Sequence, residues 1–464
     1  MERRFEVRKE ALLADCEVPA EMFHGMLSRL QKFAEPFLES LFRSEGREHA
    51  QTYVAGLLSN LQRKNAEAIA YRHDEKRSGV QDFMGQSPWD HRPMAKELVR
   101  QVGSELGRSD AVIVFDPSGF EKKGTKSVGV ARQWLGRLGK VDNGQVAVYM
   151  GYASRLGHTL VDTRLYLPKE WTQDKKRCAE AGVPKDQMRF RTRHQFSLEM
   201  LDEHGHLLPH AWVAGDGEMG RSTRFRRDLT DRNEQYLLAV PSNTTIRDLE
   251  DKPPKSAGRG RKRKVPFRQV RKWVEQLPKD AWTRIKVRDG DKEPLSVEIV
   301  SRRVQARTEN RCVGPEETLV VIRYREESGA IKHDYYLSNA SAKTPLKEFA
   351  RVAKEEHRIE ESIKHAKSEA GLADYQVRNW LGWHHHQVLS LLAVWFLVLE
   401  ARRGKKMDAC YHRPSNPRSA FHHNASRVEV SHTTTNYPRA RAKTQTQRTR
   451  PVLSLQSSKH TCPT

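Results

Sequence analysis

The spacing of apolar residues divides the chain into a helical first part and a strand-rich part that follows it. Between about residues 20 and 107, apolar positions recur three and four residues apart, as at Phe33, Phe37 and Leu41. This spacing is typical of one face of a helix. We therefore predict a helical N-terminal domain over residues 1–107, which ends at a polar stretch from Ser104 to Ser109.

The pattern changes at Ala111, where five consecutive apolar residues predict a buried central strand that ends at Asp116. Further strands are predicted at Gln145 to Tyr152, Thr159 to Leu167, Ala211 to Ala214 and Tyr236 to Val240, with helices at Gln195 to Asp202 and Ser222 to Arg232. This order of elements indicates an α/β fold, in which helices pack on a mixed sheet.

A basic segment from Pro241 to Lys272 is predicted to be a linker. Short apolar runs near residues 285, 295, 319 and 334 predict a smaller strand-rich section, and a long helix is expected from Thr344 and Pro345 to Ala370. An apolar helix should follow from Val388 to Ala401. The predicted divisions are 1–107, 108–245, 246–340, 341–402 and a disordered basic tail over 403–464.

Positive charge is concentrated in two of these segments. The formal net charge is +23, and residues 252–272 hold ten Lys or Arg with no Asp or Glu. The segment from Ala401 to Thr464 holds thirteen Lys or Arg against two acidic residues. Such concentration favours a polyanionic partner, with Arg261, Lys262, Arg263 and Lys264 as candidate DNA contacts. A basic linker that is only solvated is the alternative.

The cysteines and the apolar runs bear on where the protein works. Five scattered cysteines without a close pair argue against a disulfide framework and against a zinc site. The first ten residues lack the apolar stretch of a signal peptide, and the longest apolar run is too short to cross a bilayer. We therefore expect a cytoplasmic, nucleoid-associated protein without a membrane partner.

Three carboxylates stand out by their positions. Asp116 and Asp216 each follow a predicted strand, and parallel neighbouring strands would bring both into one crevice. On the long helix, Ile359, Ile363 and Ala366 begin an apolar stripe that should face the sheet, and Glu360 flanks it.

The neighbouring Glu361 lies about 200° from that stripe and should face water. Carboxylate oxygens suit hard divalent cations. Two Mg²⁺ ions about 4 Å apart can activate an attacking oxygen and stabilise the leaving one in phosphodiester chemistry.

Three motifs resemble those of one protein family. The segments are Asp116 to Gly124 with its continuation from Ser127 to Trp134, Gly139, Lys140 and Asn143; Trp212 to Gly220; and Arg358 to Lys367, followed by Gly371, Leu372 and Tyr375 to Trp380. Together they resemble DDE transposases of bacterial insertion sequences. The resemblance implies an RNase H-like mixed sheet with flanking helices, a helical N-terminal DNA-binding domain and a β-rich insertion before the glutamate.

The resemblance also implies roles for particular residues. Asp116, Asp216 and Glu360 would be the catalytic residues and the ligands of two Mg²⁺ ions, for which Mn²⁺ could substitute. Lys122, Lys123, Arg358 and Lys367 would contact DNA. The expected activity is metal-dependent cleavage and strand transfer on double-stranded DNA, both transposon ends and target, by a protein that is a homodimer when bound to DNA.

Two positions depart from the family pattern. Where related transposases often carry Tyr and Arg before the glutamate, this chain has Ala353 and Glu356. Two other functions therefore stay open at this point. One is a domesticated or inactive DNA-binding derivative of a transposase, and the other is a metal-dependent nuclease without strand transfer.

Two further features have simple structural explanations. His384, His385 and His386 are consecutive, and because successive helix positions diverge by about 100°, they do not predict a metal site. Trp273 and Trp282 flank the basic segment and could stack on an unpaired base, but core packing is the simpler interpretation.

Overall fold

The helical first part of the chain is confirmed within the residues that the structure describes. This computed structural model describes residues 25–254, 264–288, 295–325 and 329–410. The helices of the first part are α1 (Met26–Leu38), α2 (Ser44–Leu57), α3 (Ala66–Arg72), α4 (Arg77–Gly85) and α5 (Arg92–Leu106). Their apolar faces bury residues such as Phe37, Leu57 and Leu98, as the spacing of apolar positions predicts.

The central sheet has the strand order of an RNase H-like fold. Its strands are β1 (Val112–Glu121), β2 (Ala131–Leu135), β3 (Lys140–Ser154), β4 (Gly157–Leu165), β5 (Trp212–Gly215) and β6 (Tyr236–Ala239). β3 pairs antiparallel with β1, β2 and β4, whereas β1, β5 and β6 are parallel neighbours. The order β4-β3-β1-β5-β6 therefore confirms the predicted mixed sheet.

The first strand is longer than the sequence predicts. Instead of ending at Asp116, β1 continues to Glu121, because its antiparallel ladder with β3 runs from the Val112–Ala153 pair to the Glu121–Gly144 pair. The parallel ladder with β5 is the one that stops early, at the pair Phe115–Gly215. Asp116 is therefore the first residue of β1 beyond its parallel neighbour.

The strand-rich section extends this sheet. It contains β7 (Thr245–Asp248), β8 (Arg268–Gln269), β9 (Thr283–Arg288), β10 (Leu295–Arg307), β11 (Val313–Arg325) and β12 (Ile331–Ser338), with a short helix α11 (Val270–Val274). β12 pairs with β6, so the described strands form one continuous sheet.

The predicted linker over 241–272 is therefore partly wrong, since its ends contribute β7, β8 and α11. These elements pack into a second apolar core with Trp273 and Trp282, which confirms the core interpretation of both tryptophans. Arg261, Lys262 and Arg263 lie outside the described residues.

The remaining helices cover the sheet. They are α6 (Lys169–Gln173), α7 (Lys175–Glu180), α8 (Arg193–His204), α9 (Gly217–Arg221), α10 (Thr223–Asp231), α12 (Leu346–Glu369) and α13 (Trp380–Cys410). α13 begins before the predicted Val388, because the polar residues at its start find buried partners: Gln387, for example, accepts a hydrogen bond from the Tyr149 hydroxyl at 2.7 Å.

α13 also runs beyond the predicted Ala401, where Arg402 and Arg403 form ion pairs with Glu105 and Glu400. The first residues of the predicted disordered tail are therefore helical, and residues 411–464 lie outside the described part of the chain. Within the described ranges, no helix is long and apolar enough to cross a membrane.

One glycine allows the long helix α12 to lie close to the sheet. A Cβ atom added at Gly151 of β3 would lie 2.6 Å from Cδ1 of Ile359 on α12, which is closer than real Cβ contacts. Gly151 is opposite Val114 in β1, two residues before Asp116. Because Gly151 has no side chain, α12 can pack close to the part of the sheet that carries Asp116.

We expect Gly151→Ala to lower the free energy of unfolding by about 1–3 kcal/mol, because the added methyl group overpacks this contact. Combining it with Ile359→Val should recover part of the loss, since the two residues are in contact. Gly136→Ala is the control, because a Cβ there meets nothing within 4 Å. Chemical denaturation would measure the free energy of unfolding of Gly151→Ala, Ile359→Val, the double variant and Gly136→Ala. Strictly additive effects of the first two substitutions would contradict the proposed contact.

Candidate functional site

The two aspartates lie at one end of the parallel strands. Phe115 and Gly215 are the last paired residues of β1 and β5, and Asp116 and Asp216 follow them directly. Both side chains are half-buried. As the sequence predicts, the carboxyl ends of two neighbouring parallel strands place two carboxylates side by side at one edge of the sheet.

Asp216 is also held by the helix that begins after it. Its Oδ1 atom accepts hydrogen bonds from the backbone N–H groups of Glu218 and Met219, both at 3.1 Å, which makes it the N-cap of α9. Glu218 is held in turn by an ion pair with Arg193 at 2.5 Å. One oxygen of Asp216 is therefore used to fix the side chain in place.

The long helix α12 runs alongside β1. Contacts near the two ends of the helix fix its position along the strand. Near the start of α12, Nη2 of Arg351 donates a hydrogen bond to the Asp110 carbonyl at 2.7 Å. Near its end, Nζ of Lys367 donates to Oγ of Ser118 at 2.8 Å and to the Gly119 carbonyl at 3.2 Å.

Sixteen helical residues and eight extended residues cover similar lengths, about 24 Å and 26 Å. Between these two contacts, positions along α12 can be matched to positions along β1. Asp116 then lies within about one helical turn of Glu360, measured along the helix axis.

The carboxylates influence each other electrostatically. Burial, together with the negative charges of Asp216 and Glu360, raises the pKa of Asp116 from 3.8 to about 8, although the ammonium group of Lys367 lowers it. Burial likewise raises the pKa of Asp216 to about 6, against the lowering effect of its backbone hydrogen bonds. Such raised pKa values are expected where like charges share a poorly solvated crevice.

A fourth carboxylate, Glu356, belongs to the same cluster. Burial raises its pKa well above the ordinary value, with added contributions from Asp216, Asp116 and Asp334. The sequence shows only that Glu356 stands in place of an expected basic residue. Its helical position, one turn before Glu360 and three residues before the buried Ile359, was the signal that could have identified it.

Exposure of the two adjacent glutamates is the reverse of the prediction. The Glu360 side chain is 74% exposed and lies 3.4 Å from Nδ1 of His357, whereas Glu361 is 39% exposed. The prediction assumes that a helix residue closer to the sheet is less exposed to solvent. Glu360 lies beside an open crevice, and its side chain is exposed for that reason. The pairing with His357 lowers the pKa of Glu360.

The arrangement is therefore not a closed set of metal ligands. Within the described ranges, no three His, Cys, Asp or Glu side chains are arranged to hold a metal ion. Asp116 and Asp216 do suit a hard divalent cation by their oxygen chemistry. Burial is the main cause of their raised pKa values, and a bound cation would favour their charged forms. Glu360 is directed to His357 in this arrangement.

The predicted DNA contacts differ in their surroundings. Lys123 and Lys264 are exposed. Lys122 is half-buried, with Nζ 3.4 Å from the centre of the Tyr375 ring, and burial lowers its pKa to about 8. Arg358 donates hydrogen bonds to the Glu355 carboxylate at 2.6 Å and to the Ser154 carbonyl at 3.0 Å. Lys367 donates to Ser118 and Gly119 of β1.

The three consecutive histidines point to different partners, as helical geometry predicts. A ring nitrogen of His384 pairs with the Trp380 carbonyl, those of His385 with Met84 and Trp89, and those of His386 with Tyr53 and Gly371. Through Met84, Trp89 and Tyr53, His385 and His386 connect α13 to the first part of the chain.

An RNase H-like sheet with aspartates at the ends of β1 and β5, and acidic residues on a helix beside them, defines a class of metal-dependent nucleic-acid-processing proteins. A family model described as DDE superfamily endonuclease matches residues 36–294, more than half of the chain. The chain therefore belongs to the DDE superfamily endonucleases. The matched region includes both aspartates and ends before the glutamates of α12.

Two comparisons with individual proteins add detail. The chain is 30% identical over 231 residues to a probable transposase for insertion sequence element IS701 from Microchaete diplosiphon, a match of 47% of this chain and 56% of the relative. The chain thus spans about half the length of that relative.

A cryo-EM structure of a piggyBac transposase synaptic complex with hairpin DNA matches 87% of this chain and 78% of its own, at 11% identity and a TM-score of 0.37. That similarity is too low to support an argument about this chain.

The raised pKa of Asp116 makes stability depend on pH. Since the pKa rises from 3.8 to about 8 on folding, the folded state binds more protons between these values, and stability falls as pH rises through this window. Asp116→Asn removes the charge, so in a metal-free buffer it should raise the unfolding temperature by roughly 2–4 °C at pH 8.

The difference between wild type and Asp116→Asn should disappear near pH 4, where both side chains are neutral. Differential scanning fluorimetry across this pH range measures it. Glu361→Gln serves as the control, because Glu361 is not among the charges that raise the pKa of Asp116. A constant difference at every pH would contradict the proposed coupling.

Proposed function

We propose that this protein is a transposase, which binds the ends of its insertion sequence and catalyses metal-dependent DNA cleavage and strand transfer. The single observation that carries the proposal is the pairing of Asp116 and Asp216 at the carboxyl ends of β1 and β5, beside the acidic residues of α12. Membership of the DDE superfamily endonucleases and the similarity to a probable insertion-sequence transposase support it.

In this proposal Asp116, Asp216 and Glu360 hold two Mg²⁺ ions, and Mn²⁺ can substitute. When bound, the ions supply Lewis-acid stabilisation of the attacking and leaving oxygens of the phosphodiester. Asp216 keeps one oxygen on the N-terminus of α9 and presents the other to the crevice. Glu360 must turn away from His357 to join the two aspartates.

The cationic residues around the carboxylates would hold the DNA backbone. Lys367 of α12 donates a hydrogen bond to Ser118 of β1, two residues beyond Asp116, so it is suited to contact a phosphate next to the cleaved bond. Lys122 and Lys123 would contact DNA at the end of the same strand. Arg358 is a weaker candidate, because the Glu355 carboxylate already neutralises it.

The proposed activity also implies a partner, an oligomeric state and a location in the cell. Double-stranded DNA, both transposon ends and target, is the proposed partner, and cleavage of two ends in one event favours a homodimer on the DNA. The helical N-terminal domain would recognise the ends. A nucleoid-associated location in the cytoplasm is part of the same proposal.

The first test is cleavage and joining of labelled end DNA in Mg²⁺. Asp116→Asn and Asp216→Asn keep the shape and remove one negative charge each, so both should lose cleavage and strand transfer together, by at least about 10²-fold. Binding measured by gel shift should persist. A fully active Asp116→Asn protein would refute the enzyme assignment.

The same assay identifies the functional glutamate. We expect Glu360→Gln to be inactive and Glu361→Gln to remain active, because Glu360, and not Glu361, is among the main contributors to the pKa of Asp116. The two substitutions are matched in chemistry and adjacent in the chain. The opposite pattern would show that Glu361 is the ligand.

Neutralising the basic segment tests its part in DNA binding. Substituting Arg261, Lys262, Arg263 and Lys264 with Gln should flatten the plot of log affinity against log salt concentration by up to about 4 units of slope, if each residue releases one counterion. Fluorescence anisotropy measures the slope. An unchanged slope would mean that the segment is solvated and does not contact DNA.

A further inference from the structure

A two-stranded hairpin extends the sheet beyond the edge that carries the aspartates. β1 ends at Glu121, opposite Gly144 of β3, and β3 continues backward to Lys140, where it pairs with β2. Buried residues hold the hairpin against the sheet: Leu135, near its tip, is 2% exposed and packs back toward Gly119 and Gly144, and the Gln133 amide donates to the Gly144 carbonyl at 2.8 Å. The hairpin is thus a firmly held projection of the catalytic sheet.

The outer face of the hairpin carries two exposed apolar side chains. Trp134 and Val141 are directly opposite each other in the β2–β3 ladder, so their side chains share one face. Trp134 is 57% exposed and Val141 is 48% exposed. Tryptophan is highly buried on average in folded proteins, so an exposed one beside an exposed valine marks a contact surface.

Positive charge surrounds this apolar pair. Residues 121–144 contain six Lys or Arg but only Glu121 and Asp142 as acids. Lys123, Lys126 and Arg132 are exposed. The Asn143 amide donates to the carbonyls of Lys122 at 2.6 Å and Gly124 at 2.8 Å, which ties the lysine-bearing loop to the hairpin. An aromatic residue within a basic surface is suited to a polyanion that also offers apolar rings and sugars.

We propose that the β2–β3 hairpin binds the DNA duplex that is being cut, with Trp134 packed against its sugars and bases and Arg132 on its phosphates. This inference rests on the proposed function and deepens it, because it assigns a second DNA contact outside the carboxylate crevice.

The strand register sets where on the DNA this contact falls. Asp116 is opposite Tyr149, and Trp134 is opposite Val141. These positions on β3 are eight residues apart, which corresponds to about 27 Å along an extended strand. A duplex that follows the hairpin from the carboxylates would therefore meet Trp134 about 8 base pairs from the cleaved bond.

The charge of the surface argues against a second copy of the chain as the occupant. In a two-fold symmetric contact the same patch meets itself. Facing hairpins would bring their Lys and Arg residues together, and like charges across an interface are unfavourable. Two exposed side chains also offer far less apolar area than a stable dimer interface needs.

The experiment compares Trp134→Ala, Trp134→Phe and Phe190→Ala in binding and cleaving a labelled duplex of the element's end. Phe190 is the control, because it is a 37% exposed aromatic residue outside both the N-terminal domain and the hairpin. Trp134→Ala should bind about tenfold more weakly and lose protection from hydroxyl radicals about 8 base pairs from the cleavage site. Trp134→Phe should retain most of the affinity, and Phe190→Ala should resemble wild type.

Salt dependence separates the apolar contact from the ionic one. Trp134→Ala should weaken binding without changing the slope of log affinity against log salt, whereas Arg132→Gln should lower that slope by about one. Unfolding temperature and sedimentation velocity establish that each variant is folded and unchanged in oligomeric state.

Several outcomes would overturn the inference. If wild type binds and cuts the DNA but Trp134→Ala does so equally well, the hairpin assignment fails and the proposed function stands. A defect only in joining to target DNA would assign the hairpin to the target, and a loss of self-association would assign it to a second copy. If wild type neither binds nor cuts the DNA, the proposed function itself fails and the hairpin assignment fails with it.

Discussion

The parallel pairing of β1 with β5 is the constraint on which the rest of the site depends. Asp116 and Asp216 are 100 residues apart in sequence and come together only because Phe115 and Gly215 are the last pair of one ladder. The contact is tight, since a Cβ at Gly215 would lie 3.0 Å from the Phe115 carbonyl oxygen. A shift of one residue in this register would turn the Asp216 side chain to the other face of the sheet.

That pairing has an electrostatic cost, and the surrounding elements offset it only in part. Lys367 acts against the raised pKa of Asp116, and the N-terminus of α9 stabilises the charged form of Asp216. Glu356 adds a third carboxylate whose pKa is raised, chiefly by burial. Sites that perform chemistry commonly sacrifice stability in this way. A divalent cation would favour the charged forms of these carboxylates, which is why the metal-dependent proposal fits the site.

Much of the fold could be predicted from local sequence, and the failures share one cause. Apolar runs identify β1, β5 and β6 because buried parallel strands are continuous in hydrophobicity, and the stripe through Ile359 identifies the glutamate helix. Pro117 and Gly119 suggest a turn after Asp116, yet the ladder with β3 keeps both in β1. Long-range pairing overrides local preference here, and it also joins β12 to β6, which no local pattern indicates.

The residues of the candidate site also differ in whether local sequence or long-range contacts determine them. The aspartates could be predicted because strand ends are visible in the sequence, whereas the states of the glutamates depend on neighbours far away in the chain. Glu356 is coupled to Asp334 of the insertion as well as to both aspartates. Its place on the helix indicates its proximity to the other carboxylates, but nothing local in the sequence indicates the coupling to Asp334.

The sheet also determines how the elements on either side of the crevice are held. The β2–β3 hairpin lies at one end of the strand order and the insertion at the other, with β1 and β5 between them. The insertion is fixed to the core by the Arg226–Glu317 ion pair at 2.7 Å, in which both side chains are almost fully buried. Because burying such a pair is costly unless its geometry is good, the attachment should be well defined. One continuous sheet therefore keeps both the hairpin and the insertion in a fixed relation to the carboxylates, as the proposed DNA contact of the hairpin requires.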